Sequence, residues 1–303
     1  MVVHTLTGMY PCMGLGEGAP ILFVYGAACD HRIWTPHVTH LAQHYRCIAP
    51  TLRWFGPTDW PASSAEFGEA THAEDLAAII ESLECGPVFI IGWSYGANVA
   101  LRLTVDRPDL VSRVVAYEPS STSLVSDSSS IEAHQTSMRE TFSPITAAAS
   151  SGDGFGVLSA FIDAVGGPGT FKKLPPELRR ICAENAHTLI PLLNSKHRFT
   201  SVAVEDLANL SVPVHVAWGG QSGKVWTIPS ESAARVATIS GHRIPDADHI
   251  WPAREPGEFL SWLENLGELG TTAKQLRPTS RFANASTRNL RELPRIGEKQ
   301  AQF

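Results

Sequence analysis

Residues 92–96 read Gly-Trp-Ser-Tyr-Gly, between an apolar run (Val-Phe-Ile-Ile) and an Ala-rich segment. A short Val/Ile/Phe run reads as a strand and the following segment as a helix, so Ser94 stands at a strand-to-helix junction. The flanking glycines let the chain turn sharply and keep bulk away, lifting the serine above the sheet in a strained conformation. A serine that merely caps a helix needs neither glycine. A neutral hydroxyl is a poor nucleophile and requires a base, usually an imidazole, whose pKa lies near working pH. Of the twelve histidines, His249 fits best, in a polar loop between a short strand and an amphipathic closing segment. His72, His187 and His242 are weaker candidates.

The elements that must position these groups follow an alternating rhythm. Apolar runs at 20–26, 45–50, 86–93, 112–119, 212–219 and, more weakly, 242–247 read as strands buried on both faces. Helices are expected at Thr35–Gln43, Thr71–Leu83, Tyr95–Val105, Ser230–Thr238 and Glu255–Leu266. The class is therefore α/β, a mostly parallel sheet flanked by helices. Residues 120–211 contain no convincing strand and show helical patterns cut by Ser143-Pro144 and by the Gly-Gly-Pro-Gly of 166–169. They read as a helical cap over the sheet's C-terminal edge. The expected organisation is a core of 1–119 and 212–269, a cap of 120–211, and a polar, basic extension of 270–303.

Composition narrows the function classes. Residues 271–303 carry seven Lys or Arg against Glu292 and Glu298, a surplus of five; the whole chain is at −6, which leaves −11 for residues 1–270. An acidic body argues against nucleic acid as a partner. Five scattered cysteines without a C-x-x-C pair indicate neither a disulfide framework nor a zinc site. No apolar run is long enough to span a bilayer, and the first twenty residues lack a secretion signal's basic and apolar regions. A cytoplasmic protein acting on a small molecule, with no metal or cofactor, is expected. Oligomeric state stays open, a homodimer being one option.

With these motifs in order, the chain resembles the α/β-hydrolase superfamily over roughly residues 5–267. "GEGAPILFVYGAACDHRIW" looks like the strand and loop supplying an oxyanion hole, and "DADHIWPAREPGEFLSWL" like the histidine loop and last helix. The resemblance implies backbone N–H donors from Tyr95 and Ala27, although Tyr25-Gly26 replaces the family's usual His-Gly. It also implies a carboxylate two or three residues after the glycine ending the 212–219 strand. Gly220, Gln221 and Ser222 stand there, and Ala208–Ser230 contains no Asp or Glu. Some relatives, haloalkane dehalogenases among them, carry the acid after the preceding strand. Glu118 occupies that place here, 24 residues after Ser94. A carboxylate after an apolar run is costly to bury unpaired. Asp248, Asp246 and a Ser94–His249 dyad are the alternatives.

Trp54 and Phe55 are expected to shape an apolar pocket beside Trp93, and Asn185, with His187, to offer polar groups from the cap. The function implied is a cofactor-independent serine hydrolase acting on an ester or lactone of moderate apolar character. Cleavage of an activated C–C bond, or a non-hydrolytic cyclase or ligand-binding protein on the same fold, are the competing readings.

Overall fold

The structure is a computed structural model that describes residues 1–57, 66–151, 154–195, 202–267 and 269. The expected extension 270–303 lies outside the described residues.

Eight strands form one sheet: β1 (Val2–His4), β2 (Met9–Leu15), β3 (Pro20–Val24), β4 (Arg46–Pro50), β5 (Val88–Trp93), β6 (Val111–Tyr117), β7 (Val214–Gly219) and β8 (Ile239–Ile244). Their order is β1-β2-β4-β3-β5-β6-β7-β8. The pairings β1–β2 and β2–β4 are antiparallel, and every pairing from β4 to β8 is parallel. All six residues of β5 and of β7 are buried, as near-continuous apolar runs in a doubly covered sheet should be.

The helices are α1 (Thr35–Leu41), α2 (Glu69–Ser82), α3 (Tyr95–Asp106), α4 (Ser128–Ser150), α5 (Gly154–Gly166), α6 (Thr170–Lys173), α7 (Pro176–Glu184), α8 (Leu189–Asn194), α9 (Val204–Ala208), α10 (Lys224–Ala233), α11 (Trp251–Arg254) and α12 (Pro256–Asn265). Helices α4–α9 all fall between β6 and β7, in the interval expected to be helical.

Three elements depart from the sequence reading. The antiparallel pair β1–β2 is missed there, since its short strands mix polar and apolar residues around Gly8 and Gly14. Helix α4 runs unbroken through Ser143-Pro144, where a cut was expected, with Pro144 accommodated inside it. Helix α10 begins at Lys224 rather than Ser230, because Pro229 is tolerated inside it. Proline removes the N–H that would have bonded Val225 O. That orphaned carbonyl accepts instead from His134 Nε2 on α4, at 3.1 Å. The substitute bond joins the helical insertion to the core.

Strand β3 leads to β4 on one side and β5 lies on the other, so the sheet reverses its winding between β3 and β5. Ligands in open parallel sheets bind outside the carboxyl ends of the strands at such a point. Residues Gly26 and Ala27 leave β3 there, and Ser94 leaves β5.

Candidate active site

Ser94 follows β5 with φ 56° and ψ −120°, outside the regions favoured by L-residues. The tight turn requires both neighbouring glycines. A Cβ on Gly92 would lie 2.6 Å from Gly96 O, and one on Gly96 would lie 2.3 Å from Val24 O. The strained serine is held because its own N–H donates to Tyr117 O at 2.8 Å, while its carbonyl accepts from Ala97 and Asn98 in the first turn of α3.

His249 comes from the loop after β8. Its Nε2 lies 2.9 Å from Ser94 Oγ, and its Nδ1 lies 2.5 Å from Glu118 Oε2. Glu118 accepts only, so Nδ1 carries the proton and Nε2 presents a lone pair to the serine hydroxyl. Two further contacts hold the ring. The indole of Trp226 stacks on it with centroids 4.1 Å apart and planes 27° apart, and Trp93 Nε1 donates to His249 O at 2.7 Å.

Glu118 stands one residue beyond β6, fully buried, with φ 52°. Its N–H continues the sheet ladder to Ala217 O at 2.8 Å. While Oε2 faces the imidazole, Oε1 accepts from Gly219 N–H at 2.7 Å and from Ser222 Oγ at 2.5 Å. Both donors belong to the end of β7 and its loop, the stretch that contains no acid. The loop supplies hydrogen-bond donors to a carboxylate borrowed from the neighbouring strand, so the buried charge is paired on both oxygens. Asn98 on α3 steadies the same turn: its Oδ1 accepts from Ser120 N–H at 2.9 Å and its Nδ2 donates to Glu69 at 2.8 Å.

Of the alternative groups, Asp248 pairs with Arg254 at 2.5 Å, away from the imidazole. His72 is buried between Tyr95 OH, 2.6 Å from its Nδ1, and Arg53 O, 3.1 Å from its Nε2. Burial pushes its pKa down to about 3, which suits a neutral packing residue. His187 donates to Trp54 O at 2.8 Å, and His242 stacks on His215.

A cavity of about 270 Å³ opens above Ser94 and His249. The core supplies Ala27 and Cys29 from the loop after β3 and Trp93 from the end of β5, whereas α5–α7 supply an apolar wall that includes Phe161 and Leu178. Cys182 of α7 also reaches it, beside Cys29. Ala27 lines this space as expected. Tyr95 opens α3, so its N–H has no partner within the helix.

Three expected pocket residues lie elsewhere. Phe55 packs in an aromatic cluster with Tyr25, Phe67 and Tyr95, and Trp54 packs against Phe67 and His72. Neither lines the cavity: both are buried in this aromatic cluster, and Trp54 adopts φ 66°. Asn185 is fully buried and clasps insertion to core: its Nδ2 donates to Asp30 Oδ2 at 2.7 Å, and its Oδ1 accepts from Gly56 N–H at 2.6 Å. Sequence reasoning missed Trp226 and Cys182, which no motif marks, and reduced Ser222 to a supporting role. Among the described residues no helix is long and apolar enough to cross a membrane, and no cluster of His, Cys, Asp and Glu could hold a metal ion.

A sharp strand-to-helix turn carrying Ser94 after the fifth strand of a mostly parallel eight-stranded sheet, with an imidazole arriving after the last strand, is the arrangement of an α/β-hydrolase fold. The profile described as "Alpha/beta hydrolase family" matches residues 21–262, and the chain belongs to that family. Over 102 residues it is 38% identical to a Mycobacterium tuberculosis protein named as a non-heme bromoperoxidase, BpoC. That match covers 33% of this chain and 38% of the relative, so the chain spans little more than a third of that curated relative's length. Among solved structures, the esterase RhEst1 from Rhodococcus sp. ECU1013 superposes with TM-score 0.70 at 22% identity, covering 89% of this chain and 99% of that one. The enol-lactonase from Burkholderia xenovorans LB400 gives TM-score 0.70 at 16% identity, covering 88% and 98%. At these identities the superpositions speak to the fold.

Proposed function

We propose that the chain is a serine hydrolase that cleaves a carboxylic ester or lactone of a small, moderately apolar molecule through an acyl-enzyme. The observation that carries this reading is the unbroken hydrogen-bond chain from Ser94 Oγ through His249 to Glu118 Oε2, at 2.9 and 2.5 Å, at the floor of an apolar cavity. Its resemblance in fold to an esterase and a lactonase agrees with it.

In this mechanism His249 Nε2 takes the hydroxyl proton as Ser94 Oγ attacks the carbonyl carbon. Glu118, held by Gly219 and Ser222, stabilises the imidazolium that forms and keeps its tautomer. The oxyanion is received by the N–H groups of Ala27 and Tyr95, each donor worth roughly 3 kcal/mol. The tetrahedral intermediate then expels the alkoxide, which takes the proton from His249. Water, deprotonated by the same nitrogen, attacks the acyl carbon, and the carboxylic acid leaves as Ser94 regains its proton. No cofactor enters the scheme. Five free, buried cysteines suit a reducing compartment, and we place the protein in the cytoplasm.

A binding protein or cyclase on this fold would not need the acid cradled on both oxygens, which favours hydrolysis. Hydrolysis of p-nitrophenyl butyrate by the wild type and its loss in Ser94→Ala is the test. Equal rates for the two proteins would reject the reading.

A further inference from the structure

The cavity wall formed by the insertion carries charge that an apolar ester would not use. Besides Ser94 and His249, the polar side chains that line the cavity include Thr170, Lys173 and Arg254. Thr170 Oγ1 is spent on Gly166 O at 2.7 Å, and Arg254 is neutralised by Asp248 at 2.5 Å. Lys173 has no hydrogen-bond or ion-pair partner among the described residues, and no Asp or Glu lines the cavity. The same strap holds Lys172 and Arg179, which likewise lack a carboxylate partner among the described residues. Arg179 lies 5.8 Å over the Phe171 ring and donates to Lys172 O and Leu174 O, at 2.7 and 3.0 Å.

The nearby acids are otherwise engaged. Glu177 and Glu184 pair with Arg180 at 2.6 and 2.7 Å, Glu184 also pairs with Arg32, and Asp163 accepts from Phe171 N–H at 2.8 Å. Residues 170–179 therefore present a positive rim on a chain that is acidic over its first 270 residues. A local field opposed to the global one steers anions to the mouth, and the exposed Lys173 ammonium at the rim of an apolar cavity offers a countercharge to a fixed negative group.

We infer that the substrate carries a carboxylate, separated from the scissile carbonyl by an apolar segment, and that Lys173 binds it. One ammonium in the wall matches the single charge of a carboxylate better than a doubly charged phosphate. This inference rests on the serine-hydrolase reading above and specifies its substrate as an ester or lactone with a free acid group.

The test compares two chromogenic esters, neutral p-nitrophenyl butyrate and mono-p-nitrophenyl adipate, whose acyl chain ends in a carboxylate. The wild type is expected to prefer the adipate in kcat/KM by about tenfold at low ionic strength, with the preference shrinking in 0.5 M salt. Lys173→Met should cut the adipate-to-butyrate ratio by about tenfold, and Lys173→Glu should cut it further. As a measurement independent of any variant, free adipate should inhibit butyrate hydrolysis competitively, and hexanol should do so more weakly. Butyrate turnover with no preference for the adipate, or a ratio unmoved by Lys173→Glu, overturns the carboxylate site and leaves the hydrolase reading standing. No turnover of either ester, with Ser94 unreactive toward a fluorophosphonate, overturns both.

Discussion

Ser222 Oγ lies 2.5 Å from Glu118 Oε1, so the loop that contains no acid is the loop that grips one. The same oxygen takes Gly219 N–H at 2.7 Å, and the opposite oxygen faces His249. The carboxylate facing the imidazole comes from the end of β6, and the loop after β7 supplies its hydrogen-bond donors.

Replacing Glu118 by Gln keeps the shape but lets the amide donate to His249 Nδ1, favouring the wrong tautomer. Turnover of p-nitrophenyl butyrate should fall by about 10³- to 10⁴-fold while the melting temperature shifts by only a few degrees. A rate within threefold of the wild type would remove Glu118 from the mechanism.

Ser222→Ala leaves Glu118 Oε1 with Gly219 as its donor. The carboxylate is then held less firmly against the imidazole, so kcat should drop about tenfold with KM little changed. Ser222→Thr, which restores the hydroxyl, should return kcat toward wild type. A kcat unmoved by Ser222→Ala would remove Ser222 from the arrangement.

Trp226 holds the same imidazole from its face. Its stacked indole favours the cationic ring that forms during attack by about 0.5–1 kcal/mol, so Trp226→Leu should lower kcat by about threefold. Trp226→Phe, which keeps an aromatic face, should lose less, and equal rates for wild type and Trp226→Leu would show that the stacking plays no part in turnover.

Stability should fall in acid well before the carboxylates titrate. His37, packed against the rings of Trp34 and Phe259, and His72 are both buried, and burial pushes each pKa down to about 3. The unfolded chain takes up these protons near pH 6.5 and the folded chain does not, so stability is full above pH 6.5 and declines as pH falls toward 3. Each histidine costs about 2 kcal/mol at pH 5 relative to neutral pH. His37→Phe should therefore flatten the drop in melting temperature between pH 7 and pH 5. A drop as steep as that of the wild type would show that His37 is charged in the fold.

Much of this was legible in the sequence because local signals and global fold agree. The Gly-x-Ser-x-Gly run and five of the six parallel strands, β3–β7, announce themselves through strand-length apolar runs and through glycines that only a tight turn requires; β8, largely exposed, was expected three residues too late. Glu118 was legible by subtraction, from the absence of any acid between Ala208 and Ser230. The pocket was not. Which side of a loop faces a cavity depends on backbone conformation, and neither the positive φ at Trp54 nor the burial of Trp54 and Phe55 leaves a compositional mark. Cys182 on α7 and Asn185 just past its end are three residues apart, yet Asn185 clasps Asp30 and Gly56 while Cys182 lines the cavity. The helix start at Lys224 was hidden by Pro229, whose freed carbonyl partner, Val225 O, is taken up by His134, 91 residues before it in the chain.

The central claim is that Ser94 is a nucleophile activated by His249. Incubation of the folded protein with a fluorophosphonate, followed by intact-mass and peptide mapping, measures this directly. A single stoichiometric adduct on Ser94, absent from Ser94→Ala and strongly slowed in His249→Ala, is the predicted result. Folded wild-type protein that remains unlabelled, or an adduct on any residue other than Ser94, would contradict the account.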